Sequence, residues 1–346
     1  METVELKMPE GPKVDHWVLK LKELQAAMRS KIMGHIGRHD VAYLSNVASD
    51  AEGDTIYEID RSCEDVLIDF CLNLSGETSL VLIAEGIGDG GMVSLPEGRL
   101  PNEAQWLMIV DPIDGTRGIM YDKRSAWILA GLAPNKGEGA TLADIEVAVQ
   151  TEIPTTKQYL ADTLWAVKGE GAFGERYNLL TGEARAFKPQ PSRAKDIYHG
   201  FAMLSKFFPG RKEITASIEE ELIYELGGTS RMDKVLVFDD QYISTGGQLY
   251  ELMMGHDRFN GDMRAHLMRA PNLAGPPPGM AVHPYDLASE LIAREAGVIV
   301  TDLDGGLLRA PLDVSADVSW LGYANERLRR QIEPILQRIL RRYGII

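Results

Sequence analysis

The stretch Asp111-Pro112-Ile113-Asp114-Gly115-Thr116 constrains this chain more than any other. It follows an apolar, strand-like run from Trp106 to Val110, so Asp111 is expected at the end of a strand, with Pro112 and Gly115 shaping a tight turn. Asp114 can then point back toward Asp111, with the carbonyl of Ile113 between them. Hard oxygen donors gathered this closely suit Mg²⁺. For a bare Asp-x-x-Asp the alternative is structural, a strand-to-turn junction in which Asp114 only caps the next helix. The complete hexapeptide favours a metal and phosphate site.

Composition narrows the class. At 346 residues, 45% hydrophobic and 25% charged, the chain is globular and long enough for two compact halves. A net charge of −15 argues against a nucleic-acid partner or an anionic membrane surface. A phosphorylated substrate stays open, because bound cations invert the local charge. No apolar run approaches the ~18 residues of a spanning helix, and the acidic, proline-containing N-terminus lacks a leader pattern, so the expected location is cytoplasmic. Cys63 and Cys71 fall within one helical stretch and read as unpaired core residues.

Along the chain, Trp17, Leu21, Leu24, Met28 and Ile32 recur at three- and four-residue intervals and predict a helix from about Asp15 to His35. Ile56 to Ile59 reads as extended, with Asp60 as N-cap of a second helix whose apolar face includes Cys63, Leu67, Phe70 and Cys71. Ser79 to Ala84 reads as a strand delivering Glu85 at its end, followed by a glycine-rich loop expected to act as a lid. Trp127 to Ala133, Ile145 to Glu152 and Tyr159 to Lys168 read as strands of an antiparallel sheet. Pro189 to Ser192 reads as a linker, dividing the chain into 1–190, an α+β half with most of the acidic ligands, and 191–346, an α/β half with Asp286. In the second half, helices are expected from Glu213 to Leu226 and from Thr245 to Met254. Another is expected to start at Pro284 with Asp286 near its N-terminus, and a last one runs from Asn325 to Tyr343 with a solvated basic face and a kink at Pro334.

The hexapeptide resembles the signature of the inositol monophosphatase and fructose-1,6-bisphosphatase-like superfamily, Mg²⁺-dependent and typically lithium-sensitive phosphatases. Asp60, closing Thr55-Ile56-Tyr57-Glu58-Ile59-Asp60, resembles the family's Thr-x-x-Asp aspartate. Glu85 in Ile83-Ala84-Glu85-Gly86 is similar to the first acid of its Gly-Glu-Glu. His283-Pro284-Tyr285-Asp286-Leu287-Ala288 resembles Trp-Asp-x-Ala-Ala-Gly, and Ala293 to Gly306 is similar to the segment that follows. The resemblance spans roughly Trp17 to Asn325.

It implies an α+β fold, a five-layer αβαβα sandwich with the site in the cleft between two αβ halves, and a homodimer. It also implies a phosphomonoesterase of small phosphorylated metabolites. One Mg²⁺ would be held by Glu85, Asp111 and the Ile113 carbonyl, a second by Asp111, Asp114 and Asp286, and Glu85 would hold a weaker third ion as in some relatives. Thr116, hydrogen-bonded to Asp60, would orient the attacking water, and the amides of Gly115 and Thr116 would receive the phosphate.

The sequence departs from the pattern in places. Gly86 replaces the second acid of the Glu-Glu pair, Tyr57 stands where threonine is usual, and Tyr285, Ser289 and Glu290 interrupt the last signature. These leave inositol phosphate, sugar phosphates, 3'(2'),5'-bisphosphate nucleotides and histidinol phosphate open as substrates. A pyrophosphatase or phosphodiesterase, or a non-catalytic relative that binds metal or phosphate, are the rival classes.

Overall fold

The computed structural model describes residues 14–39, 41–45, 47–51, 54–88, 90–227 and 235–346; for residues 14, 15, 47–51, 54–64 and 138 it describes the backbone alone. The chain begins with α1 (Val14–Ile36), α2 (Val41–Leu44) and the antiparallel pair β1 (Val47–Ala51) and β2 (Asp54–Tyr57), then α3 (Glu58–Leu74). There follow β3 (Leu80–Ile83), β4 (Met92–Leu95), β5 (Trp106–Asp114), the short α4 (Thr116–Met120) and β6 (Ala126–Pro134). Next come β7 (Val147–Ile153), β8 (Leu160–Val167), β9 (Gly171–Asn178) and β10 (Ala184–Phe187). These strands form an eight-stranded sheet in the order β10-β9-β8-β7-β6-β5-β3-β4, antiparallel except where β3 runs parallel to β5.

After residues 188–199 the chain builds β11 (Gly200–Leu204), α5 (Lys212–Gly227), β12 (Val237–Phe238), α6 (Thr245–Met253) and β13 (Asp257–Asp262). It continues with α7 (Arg264–Arg269), a 3-10 turn (Pro284–Leu287), α8 (Glu290–Ala296), β14 (Ile299–Thr301), β15 (Trp320–Tyr323) and α9 (Glu326–Tyr343). The second sheet is mixed, in the order β12-β11-β13-β15-β14.

Strand alternation assigns the layers, because successive side chains on a strand point to opposite faces. On the first sheet Met108, Val110, Ile128, Ala130, Val147 and Val149 share a core with Trp17, Leu21, Leu24 and Met28 of α1 and with Leu67 and Cys71 of α3. On the other face Ile109, Leu129, Ala148 and Leu164 join Leu249 and Leu252 of α6 and Leu291 and Ile292 of α8. Those two helices also pack on the second sheet, whose far side is covered by α5 and α9. The result is an α+β fold of five layers, αβαβα. Within the middle layer, Gly322 on β15 leaves the slot that Leu252 fills, since a Cβ there would lie 2.6 Å from Leu252 Cδ1.

Several expectations need correction. Helix α3 begins at Glu58, so Asp60 lies inside its first turn and is not the N-cap; β1 starts at Val47, the partner of Tyr57, so strand pairing ends there and the chain is released into helix. The loop after Glu85 joins β3 to β4 as an antiparallel hairpin, closed by Ala84 N–H donating to Gly91 O at 3.0 Å. Asp89 in that loop lies outside the described residues. Pro284 opens a separate 3-10 turn, ended by Ala288 N–H donating to Tyr285 O, and α8 starts afresh at Glu290. On α9, capped by Asn325 accepting from Leu328 N–H at 3.0 Å, Arg338 and Arg342 pair with Glu225 and Glu221 of α5. The basic face is solvated as expected, Arg338 and Arg342 being 60% and 56% exposed, and it meets an acidic neighbour along one edge.

Leu252 is fully buried between two sheets, so Leu252→Ala leaves a cavity that neither layer can close, and a loss of about 2–5 kcal/mol is expected. Leu19 on α1 is 55% exposed, and Leu19→Ala should stay within about 0.5 kcal/mol of wild type. Urea unfolding of both variants checks the assignment of α6 to a doubly covered layer.

Candidate metal centre

β5 does not stop at Asp111. It runs to Asp114 with a break in register against β6 between these two residues, and that irregularity lets both aspartates leave the strand on the same side. Asp111 Oδ1 accepts from Ile113 N–H at 3.0 Å, and Thr116 Oγ1 donates to the Ile113 carbonyl at 2.8 Å. The tight turn is thus braced from within. The carbonyl oxygen keeps a second lone pair.

Asp114 reaches outward to the second half of the chain. Its carboxylate accepts from Ser244 Oγ at 2.8 Å, Gly246 N–H at 2.6 Å and Thr245 N–H at 3.2 Å, the opening amides of α6. The expectation that this residue, if structural, caps the next helix is corrected: it caps a helix 130 residues away. Two glycines permit the approach. A Cβ at Gly115, where φ is +97°, would lie 3.0 Å from Ser244 Cβ, and one at Gly246 would lie 2.6 Å from Leu129 and 2.9 Å from Asp114 Oδ2.

Asp286 arrives from the 3-10 turn, where His283 N–H donates to its Oδ2 at 2.6 Å. Among the described residues, Asp111, Asp114 and Asp286 each place one carboxylate oxygen within 4.8 Å of the others. Glu85 lines the same pocket, with Ile113, Gly115 and Thr116, and Tyr285 Oη donates to its Oε2 at 3.4 Å. The side chain of Asp60, and with it the expected bond to Thr116, lies outside what the structure describes.

The cluster is electrostatically unfavourable as bare protein. Burial, then the charges of Asp114, Asp286 and Glu85, push the Asp111 carboxyl well above its ordinary range. Burial and the Asp286 charge push Asp114 up to about 8, although its bonds from Ser244, Gly246 and Thr245 act in the opposite direction. Clustered carboxylates, two of them buried and the third half-buried, are the donor set a hard divalent cation requires.

Sequence reasoning missed Ser244, Thr245, Tyr285 in its contact with Glu85, and the pocket residues Phe207, Phe208 and Arg264. The paired glycines at the start of α6 were the one available sign that another segment approaches there.

No family model matches the chain, and no curated protein matches it by sequence. Solved structures do. A Pyrococcus horikoshii protein described as having similarities to inositol-1 monophosphatase is 18% identical, with 94% of this chain and 98% of that chain covered and a TM-score of 0.61. The inositol monophosphatase of Thermotoga maritima is also 18% identical, covering 96% and 100%, with a TM-score of 0.60. Fructose-1,6-bisphosphatase from Leishmania major, in holo form, is 14% identical over 93% and 92%, with a TM-score of 0.65. Near-complete coverage in both directions gives this chain the fold of the inositol monophosphatase and fructose-1,6-bisphosphatase-like superfamily.

Proposed function

We propose that the chain is a divalent-metal-dependent phosphomonoesterase acting on a small phosphorylated metabolite. The observation that carries this reading is the gathering of Asp111, Asp114 and Asp286 within 4.8 Å, from segments far apart in sequence, beside Glu85 in one pocket. Repelling carboxylates are gathered at an energetic cost, which function explains and packing does not. Bound there, Mg²⁺ would acidify a water and neutralise charge on the phosphate and the departing alkoxide.

The remaining work falls to the chain's own groups. Asp111, Asp114, Asp286, Glu85 and the Ile113 carbonyl hold the cations, two in the simplest arrangement. Thr116, beside that carbonyl, orients the attacking water and passes its proton toward Asp60. Gly115 and Thr116 offer backbone amides to the phosphate oxygens. The fold of the structural neighbours, whose names include inositol monophosphatase and fructose-1,6-bisphosphatase, supports the reaction class.

Phosphate release from a metabolite panel should require Mg²⁺. Asp114→Asn and Glu85→Gln should each lower turnover by at least ~10³-fold, since either weakens the cation site. Near-wild-type turnover in both would refute the assignment.

Ca²⁺ takes longer bonds and looser coordination, so it should occupy the same carboxylates and inhibit. Turnover with Ca²⁺ equal to that with Mg²⁺ would contradict tight positioning.

The pH dependence of stability follows from the raised carboxyls. In the folded apo protein Asp114 holds its proton up to about 8, whereas the unfolded chain releases it near the ordinary value of about 4. The folded state thus binds more protons in this window, and in EDTA stability should fall as pH rises from about 4 to about 8. Excess Mg²⁺ should flatten the decline, and Asp114→Asn should make it shallower in EDTA. Melting curves across that range, with and without Mg²⁺, check both statements; a stability that rises with pH in EDTA would contradict them.

A further inference from the structure

The pocket that holds the carboxylates is also lined by Arg117, Phe207, Phe208 and Arg264. Phe207 and Phe208 meet edge to face, with centroids 4.8 Å apart. The Arg264 guanidinium lies 4.7 Å from the Phe207 ring and 5.1 Å from the Phe208 ring, and that of Arg117 lies 5.2 Å from Phe208. Three segments of chain therefore build one cationic, ring-backed wall.

Arg264 is only 6% exposed, and its geometry is fixed from one side. Buried Asp262 accepts from its Nε at 3.0 and 2.8 Å and from Nη2 at 2.7 Å, while Nη1 donates to the Met280 carbonyl at 3.2 Å. These bonds use three of the five N–H donors of a guanidinium, leaving one on each of Nη1 and Nη2. A fork held in this way suits bidentate pairing with a planar carboxylate. Charge discriminates further. Asp262 already offsets the guanidinium charge, so this arginine balances a monoanion better than a second phosphate dianion. A neutral hydroxyl would forgo the charge-assisted pair.

We propose that the substrate's leaving group carries a carboxylate held by Arg264, so that the enzyme hydrolyses the phosphate ester of a hydroxy acid. Asp262 acts as the positioning residue. The inference rests on the phosphomonoesterase reading above. In the reaction, water oxygen bonds to phosphorus, the bond from phosphorus to the ester oxygen breaks, and that oxygen leaves as the hydroxyl of the acid after taking a proton.

The test uses matched probes with Mg²⁺: glycerol 3-phosphate against 3-phosphoglycerate, erythritol 4-phosphate against 4-phosphoerythronate, and glucitol 6-phosphate against 6-phosphogluconate, with glucitol 1,6-bisphosphate as the dianionic control. In at least one pair kcat/KM should favour the carboxylate by about tenfold or more, and the bisphosphate should gain no such preference. Arg264→Lys keeps the charge and loses the fork, so the preference should fall to within about threefold, chiefly through KM; Arg264→Gln should do the same if it folds. Phosphate release without preference in any pair, a preference for the bisphosphate, or a preference that survives Arg264→Lys would overturn the inference while leaving the phosphatase reading intact. Release from none of a broad metabolite panel would defeat both.

Discussion

The carboxylate of Asp114 is the point at which the first sheet is fastened to the middle layer. It stands at the end of the longest description the sequence offers, an apolar strand followed by the hexapeptide, yet its hydrogen bonds go to Ser244, Thr245 and Gly246 at the start of α6. Negative charge at a helix N-terminus is favourable, and here it does structural work while leaving an oxygen near Asp111 and Asp286. Capping and a place in the acidic cluster, which looked like alternatives on the primary structure, are combined in one side chain.

A second buried polar group completes the arrangement. Gln150, on β7 and fully buried, donates from Nε2 to the Gly246 carbonyl and accepts at Oε1 from Ser289, each at 2.8 Å. It therefore ties the first turn of α6, which Asp114 caps, to the residue just before α8, three positions after Asp286. A buried amide whose partners are satisfied fixes the relative height of elements that apolar contact alone would let slide.

Much of this was legible in the sequence wherever period and turn chemistry act locally. The near-continuous apolar runs on β5 to β8 follow directly from burial on both faces, and the helical spacing of Trp17 to Ile32 from burial on one. The hexapeptide announces its chemistry because glycine, proline and carboxylates are confined to few turn geometries. What was hidden is what depends on distant partners: the contact of Tyr285 with Glu85, 200 residues apart, and the wall made by Arg264 with Phe207 and Phe208. The start of α3 moved for a similar reason, since strand pairing with Val47 decides where Tyr57 stops being extended.

The origin of the three aspartates has a consequence for how the protein would tolerate change. Asp111 and Asp114 come from the first sheet and Asp286 from the 3-10 turn that packs on β5, β6 and α6 just ahead of α8, so the geometry offered to a cation is set by how α6 and α8 seat between two sheets. Ion affinity is steep in donor spacing, whereas overall stability is summed over a large apolar core. Loosening of the middle layer would thus appear first as a spreading of the three carboxylates, with the protein still folded and its grip on any cation already weakened.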